Sequence, residues 1–237
     1  MHIYRSLQPI KAITFDLDDT LYDNVPVIKK AELALIQKLQ TINGLAHLTL
    51  DRFNQLKQHM REIDPDIYHD VVAWRIMTLR YLFAKINLSA SQIDENVQDM
   101  MAHFTYWRHQ IDIPANIHQL LNCLAKRVPL AVITNGNVEV VKIGIDHYFE
   151  FSLRGGIDGR SKPYPDIFTL AAKKLAVSPA NILHVGDNLY TDVMGAIDAG
   201  MQACWLNLTG KNIYYQADRQ VLPHVEITDL AALENLL

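Results

Sequence analysis

Only two cysteines, Cys123 and Cys204, occur in 237 residues, too few for a disulfide framework and without the spacing of a metal site. Both sit among apolar neighbours (Leu121 and Leu124; Ala203 and Trp205), which predicts buried thiols. No stretch approaches the roughly 18 consecutive apolar residues of a membrane-spanning helix. The opening "MHIYRSLQPIKAITF" lacks the apolar centre of a signal peptide, so the expectation is a cytoplasmic protein. Basic runs and basic amphipathic helices are missing, and the net charge is -4. Neither a nucleic-acid nor a membrane partner is therefore expected. Repeats and low-complexity segments are also lacking. Oligomeric state stays open, and a monomer is compatible with the sequence.

Apolar residues make up 49% of the chain and charged residues 20%, a balance that excludes disorder as the main state. The length suits one large domain or a domain with a sizeable insert. Short apolar runs at "AITF" (12–15), "PLAVIT" (129–134), "NILHV" (181–185) and "QACWL" (202–206), with a weaker one at "HVEIT" (224–228), predict strands. They alternate with helical patterns: "PDIFTLAAKKLAV" with Pro165 at its first position, "YTDVMGAIDAG" ending at Gly200, and "DLAALENLL" after Thr228 or Asp229. The predicted fold class is α/β, a parallel sheet flanked by helices.

Between the first two runs the rhythm changes. Apolar residues recur in steps of three and four: Ile28, Ala31, Leu35, Leu39, Ile42; Phe53, Leu56, Met60, Ile63; Val72, Ile76, Leu79, Phe83, Ile86; Val97, Met100, Phe104, Trp107. That spacing predicts consecutive amphipathic helices, far more chain than a βαβ crossover needs. Residues 24–112 are expected to form an inserted helical bundle, and 1–23 with 113–237 the α/β domain. "YDNVP" and "DIPAN" are the expected hinges.

Three of the predicted strands end in polar residues: "AITF" in Asp16, "AVIT" in Thr134 with Asn135 and Gly136, and "LHVG" in Asp187. Open parallel sheets bind ligands outside the carboxyl ends of their strands, so neighbouring strands would bring Asp16, Thr134 and Asp187 into one crevice. Each motif also has a plainer reading. "DLDDT" could be a solvated turn, but Leu21 and Val27 stand where a calcium loop needs Gly and Glu. Asn135-Gly136 could close a hairpin. "GDNLYTD" could start a helix, with Asp187 or Asn188 capping it and Asp192 in its first turn. Lys162, in "GRSKPYPD", could be a surface lysine. Gly155, Gly156 and Gly159 do not follow a strand and open a helix, which disfavours a dinucleotide site.

Taken in order, DLDDT, a Thr closing a strand, a Lys ahead of a helix and GDxxxxD resemble the motif series of the haloacid dehalogenase-like (HAD) superfamily of aspartate-nucleophile phosphatases. The helical insert resembles that superfamily's cap domain. "IYHDVVAWR", "GRSKPYPDIF", "ILHVGDNLYTDV", "GMQACWL" and "LPHVEIT" look most like its bacterial flavin-pathway phosphatases. The resemblance implies a Mg²⁺-dependent phosphomonoester hydrolase with an aspartyl-phosphate intermediate. The implied substrate is flavin mononucleotide (FMN) or 5-amino-6-(5-phospho-D-ribitylamino)uracil.

It further implies that Asp16 is the nucleophile and Asp18 the general acid–base. Lys162, the Thr134 hydroxyl and the Asn135 backbone N–H would hold the phosphoryl group. Asp16, Asp18 (through its backbone carbonyl), Asp187 and Asp192 would serve the metal, Asp192 more from outside the ligand shell than by direct contact. Such clustered acids need a cation, and Mg²⁺ prefers hard oxygen donors. Substrate selection would fall to Tyr22 and Asn24 beside the nucleophile and to Tyr68, His69 and Arg75 on the third helix of the insert, with Trp107 and Arg108 also in view. Other readings stay open: a phosphatase of another small metabolite, such as a sugar phosphate or nucleotide; a phosphomutase; a phosphoacceptor signalling domain. A dehalogenase is disfavoured by Asp18, because halide leaves without a proton.

Overall fold

The structure, a computed structural model, describes all residues 1–237. Seven strands form one sheet: β1 (His2–Ile3), β2 (Ala12–Phe15), β3 (Leu130–Thr134), β4 (Ser152–Arg154), β5 (Ile182–Gly186), β6 (Gln202–Leu206) and β7 (Val225–Ile227). Their order is β1-β7-β6-β5-β2-β3-β4, parallel except for the β1–β7 pair. β2, β3, β5 and β6 are buried along their whole length, as strands covered on both faces must be. The sheet exceeds the five expected strands by β1 and β4. Both are too short, at two and three residues, to show a period in the sequence.

The chain divides into two compact units. The α/β unit comprises Met1–Asp23, Asp112–Gly136 and Val140–Leu237; the helical unit comprises Asn24–Ile111 and Asn137–Glu139. That second short segment has no signal in the sequence. Within the helical unit, Glu139 N–H donates to His109 Nε2 at 3.0 Å.

Four helices build the helical unit: α1 (Val25–Leu39), α2 (Leu50–Ile63), α3 (Val71–Lys85) and α4 (Ala90–Arg108). The starts of α2, α3 and α4 are set by side chains that satisfy otherwise unpaired amides. Thr49 accepts from Arg52 N–H, and Asp70 accepts from Val72 and Ala73. Ser89 and Gln92 cap each other reciprocally. The inward stripes meet in one core that includes Ala31, Leu35, Phe53, Leu79, Phe83 and Phe104. Ile63, expected on that stripe, is exposed, because α2 ends there. Tyr68 and His69 lie in a 3₁₀ turn (Ile67–His69) ahead of α3 and not on the helix.

The α/β unit adds α5 (Ala115–Ala125), α6 (Asp166–Leu175) and α7 (Gly195–Asp198) around a core containing Ile133, Leu153, Phe168, Val193 and Trp205. Three expected helices differ in detail. Pro165 precedes α6 rather than opening it. Leu189–Met194 is a wide π turn that runs into α7. The C-terminal helix is a 3₁₀ segment, Leu230–Leu236, capped by Asp229. Cys204 is buried as expected, while Cys123 is only half-buried. No helix is long and apolar enough to cross a membrane.

Phe83 is fully buried in the helical core. Phe83→Ala should cost about 3–5 kcal/mol, measured as a lower midpoint of the helical unit's unfolding in urea. A shift under about 1 kcal/mol would show that this core does not hold the unit together.

Candidate active site

β5, β2 and β3 are adjacent in the sheet, and their carboxyl ends carry Asp187, Asp16 and Thr134. Register fixes the alignment: Phe15 pairs with Val132 on one side and Val185 on the other, and Asp16 N–H donates to Val185 O at 2.9 Å. Beyond β2 the chain turns sharply. Thr20 and Leu21 N–H both donate to Leu17 O, and Asp19 takes a positive φ of 59°. The turn returns Tyr22 to Asp18, whose carboxylate accepts from the Tyr22 hydroxyl.

One cavity of about 200 Å³ is lined by Asp16, Asp18, Thr134, Lys162, Asp187 and Asp192, together with Asn135 and Gly136. A larger hollow of about 460 Å³ lies in the helical unit around Leu45, Arg52 and Tyr81. It holds no carboxylate, so chemistry and not size identifies the site. Of the remaining sequence-derived residues, Tyr22 belongs to the α/β unit. Asn24 and Arg75 belong to the helical unit, where Asn24 stands just before α1 and Arg75 is buried on α3.

Lys162 lies at the centre of the site. Its ammonium is nearly inaccessible and uses all three donors: Asp16 Oδ1 at 2.6 Å, Asp192 Oδ1 at 2.6 Å and the Ile133 carbonyl at 2.8 Å. Burial opposes its charge, but Asp16 and Asp192 outweigh burial and raise its pKa, so it stays an ammonium. The Asn135 side chain holds the lysine in place from the end of β3. Its Oδ1 accepts from Lys162 N–H at 2.7 Å, and its Nδ2 donates to Lys162 O at 2.9 Å. Thr134 Oγ1 accepts from Gly136 N–H at 2.9 Å, which leaves the hydroxyl proton to donate elsewhere.

After β5, Asn188 supplies the cap, accepting from Tyr190 and Thr191 N–H, each at 2.9 Å. Asp187 is anchored through its carbonyl, which accepts from Trp205 Nε1 at 2.8 Å. Asp192, on the π turn, accepts at Oδ2 from Asn188 N–H at 3.0 Å. Two glycines make room for carboxylates. A Cβ on Gly136 would lie 2.6 Å from Asp18 Oδ2, and one on Gly186 would lie 2.3 Å from Asp192 Cγ.

Carboxylate oxygens of Asp16, Asp187 and Asp192 lie within 4.8 Å of one another. Crowding and burial show in their protonation. Burial, with Asp192 and Asp18 adding and Lys162 opposing, pushes Asp16 up to about 8. Burial, with Asp192 and Asp19 adding, pushes Asp187 up to about 7. Burial also works against Asp192, but Lys162 and His184 overcome it and hold that carboxyl well below the usual range. One lysine is too little positive charge for this set. The donors are all hard oxygens, and they fit a small divalent cation such as Mg²⁺.

Sequence reasoning missed three contributions: the Asn135 side chain as a clamp, and the buried pair Thr14 and His184. Thr14 Oγ1 lies 2.9 Å from His184 Nδ1, and His184 Nε2 lies 3.3 Å from Asp192 Oδ1. The only signal was a histidine inside the apolar run "ILHVG".

Residues 10–200 match the haloacid dehalogenase-like hydrolase family. The chain is 44% identical, over all of both chains, to the 5-amino-6-(5-phospho-D-ribitylamino)uracil phosphatase YigB of Escherichia coli strain K12. It is 27% identical to a glyceraldehyde 3-phosphate phosphatase of Pyrococcus furiosus, covering 98% of this chain and 94% of that one. Among solved structures, a 2-haloacid dehalogenase from Pseudomonas syringae pv. Tomato superposes with a TM-score of 0.87 at 33% identity. That superposition covers 96% of this chain and 97% of the other.

The raised carboxyls set a pH dependence. Folded Asp16 and Asp187 hold protons that the unfolded chain has released. Their stability is fully present below the normal carboxyl range and is lost as pH rises through about 7 and about 8. His184 and His224, depressed by burial, act with the opposite sign, but only below their unfolded pKa of 6.5. In EDTA, Tm should therefore fall between about pH 6.5 and pH 8 and level off above that. A flat or rising scanning-calorimetry profile would contradict the protonation assigned to the cluster.

Proposed function

This chain belongs to the haloacid dehalogenase-like hydrolase family, and on that footing we propose that it hydrolyses phosphomonoesters through a phosphorylated Asp16. An Asp16 carboxylate oxygen attacks phosphorus, and the ester P–O bond breaks as Asp18 protonates the departing oxygen. Asp18 then takes a proton from the water that attacks phosphorus. This frees inorganic phosphate and restores the Asp16 carboxylate. The Thr134 hydroxyl and the Asn135 backbone N–H hold the phosphoryl oxygens as charge redistributes, while Lys162, its three hydrogens already engaged, offsets the charge on the nucleophile and the phosphoryl group. Asp16, Asp187 and the Asp18 carbonyl would hold Mg²⁺, with Asp192 supporting them from outside the ligand shell; when bound, the ion supplies the positive charge that keeps the carboxylates ionised.

Asp18 is the observation that carries this reading. Its carboxylate lies close to Gly136 and is held by the Tyr22 hydroxyl, and it lines the same cavity as Asp16. The likeness to a dehalogenase structure raises the alternative of attack on carbon, but a leaving halide has no use for such a donor. The proposed substrate is 5-amino-6-(5-phospho-D-ribitylamino)uracil, by likeness to the Escherichia coli phosphatase, with FMN next; both carry a pyrimidinedione ring. The proposal extends to a cytoplasmic enzyme acting on a small metabolite, without nucleic-acid or membrane partners.

We assign recognition of the ring to Arg75, with Tyr22 and Asn24 as further substrate-reading residues. Arg75 is 5% exposed, its guanidinium lies 3.6 Å from the Phe104 ring centre, and its Nε is buried without an acceptor. Burial lowers its pKa to about 10, with Glu32 opposing and Arg108 adding. A buried cation so poorly compensated favours a ligand that brings a carbonyl oxygen.

Three outcomes are expected. Asp16→Asn should abolish phosphate release from every ester, with the fold intact. Asp18→Asn should slow release by about 10²–10⁴, while the wild type frees no halide from 2-chloropropionate; halide release would replace this mechanism. Arg75→Met should raise KM for the ribitylaminouracil phosphate at least about tenfold, the worth of one charge-assisted hydrogen bond. That variant should leave para-nitrophenyl phosphate untouched, and an equal loss on both esters would remove Arg75 from ring recognition.

A further inference from the structure

His184 is fully buried in the middle of β5, facing Thr14 across the β2–β5 pairing. Its ring is flanked edge-on by Phe168, with centroids 5.0 Å apart. Two polar side chains on buried strands cost stability unless they satisfy one another, and here they do so in one direction only. Asp192, as a carboxylate, can only accept, so the ring nitrogen facing it carries the hydrogen. The Thr14 hydroxyl, 2.9 Å from Nδ1, can donate to it, so with Nε2 carrying the hydrogen both contacts of the ring are satisfied. The resulting chain is Thr14 O–H to His184 Nδ1, then His184 Nε2–H to Asp192 Oδ1.

Asp192 Oδ1 is the atom that also receives Lys162. With Oδ2 held by Asn188 N–H, the carboxylate is gripped at both oxygens and cannot turn. Lys162 is shared at equal distance between Asp192 and Asp16. Any rotation of Asp192 would therefore change how the ammonium addresses the nucleophile.

We propose that His184 is a positioning residue of this site, an Nε2–H donor locked by Thr14 that fixes Asp192 and, through it, Lys162 against Asp16. It touches neither phosphate nor nucleophile. Its contribution passes through two side chains, and it should affect turnover more than binding. The kinetic part rests on the phosphatase reading; the tautomer does not.

The test pairs spectroscopy with kinetics. In ¹⁵N-histidine-labelled protein without substrate, the His184 ring should show a single Nε2–H tautomer. An Nδ1–H tautomer would overturn the proposal even if the enzyme proved to have another activity. His184→Leu should lower kcat on para-nitrophenyl phosphate by about 10–100-fold, with KM within about twofold. His184→Gln, which keeps an N–H donor, should recover part of that loss. Thr14→Val, close in shape to threonine, serves if the leucine variant does not fold. It should leave Nδ1 without its donor, shifting that nitrogen's resonance, and lower kcat without moving KM. A folded His184→Leu variant with kcat within twofold of wild type, or a Thr14→Val variant unchanged in both spectrum and kcat, would reduce His184 to core packing.

Discussion

The Lys162 ammonium is the interaction on which the rest of the site depends. It is a fully used cation buried among Asp16, Asp192 and the Ile133 carbonyl. Its three acceptors come from the segments following β2 and β5 and from β3 itself, so it ties together the three strand ends that form the cavity. Two carboxylates this close would each resist ionisation when buried. The lysine resolves that conflict for Asp192 but leaves Asp16 and Asp187 short of counter-charge. This imbalance of negative charge fits the site to a divalent cation.

What surrounds Lys162 is built to prevent movement. Asn135 exchanges two hydrogen bonds with its backbone. Asn188 organises the π turn that carries Asp192, and Tyr22 returns through a tight turn to hold Asp18. Preorganisation of this kind is where electrostatic stabilisation of a transferring phosphoryl group comes from.

Legibility in the sequence followed the range of the interaction. Asp16, Thr134 and Asp187 were readable because each directly ends an apolar run, and a strand's end is a local fact. The helices α1 to α4 were readable because burial on one face imposes a period over many residues. β1 and β4 are too short to have a period, and Ile63 kept the spacing of α2 but lies where the helix stops. Thr14 and His184 were invisible as a pair, because they meet only through the β2–β5 pairing, and no local pattern encodes which strands lie side by side. The Asn135 side chain escaped for the same reason: its partner lies 27 positions along the chain.

Gly136 and Gly186 carry no charge and no side chain, yet each marks the volume that an acid occupies. A single added methyl group at either position would overlap Asp18 or Asp192, leaving net charge and every ionisable residue unaltered. The weak points of this site therefore include two positions that an inventory of ionisable groups would pass over. An inherited or engineered alanine there could silence the enzyme while its sequence still displayed every acid and base of the mechanism.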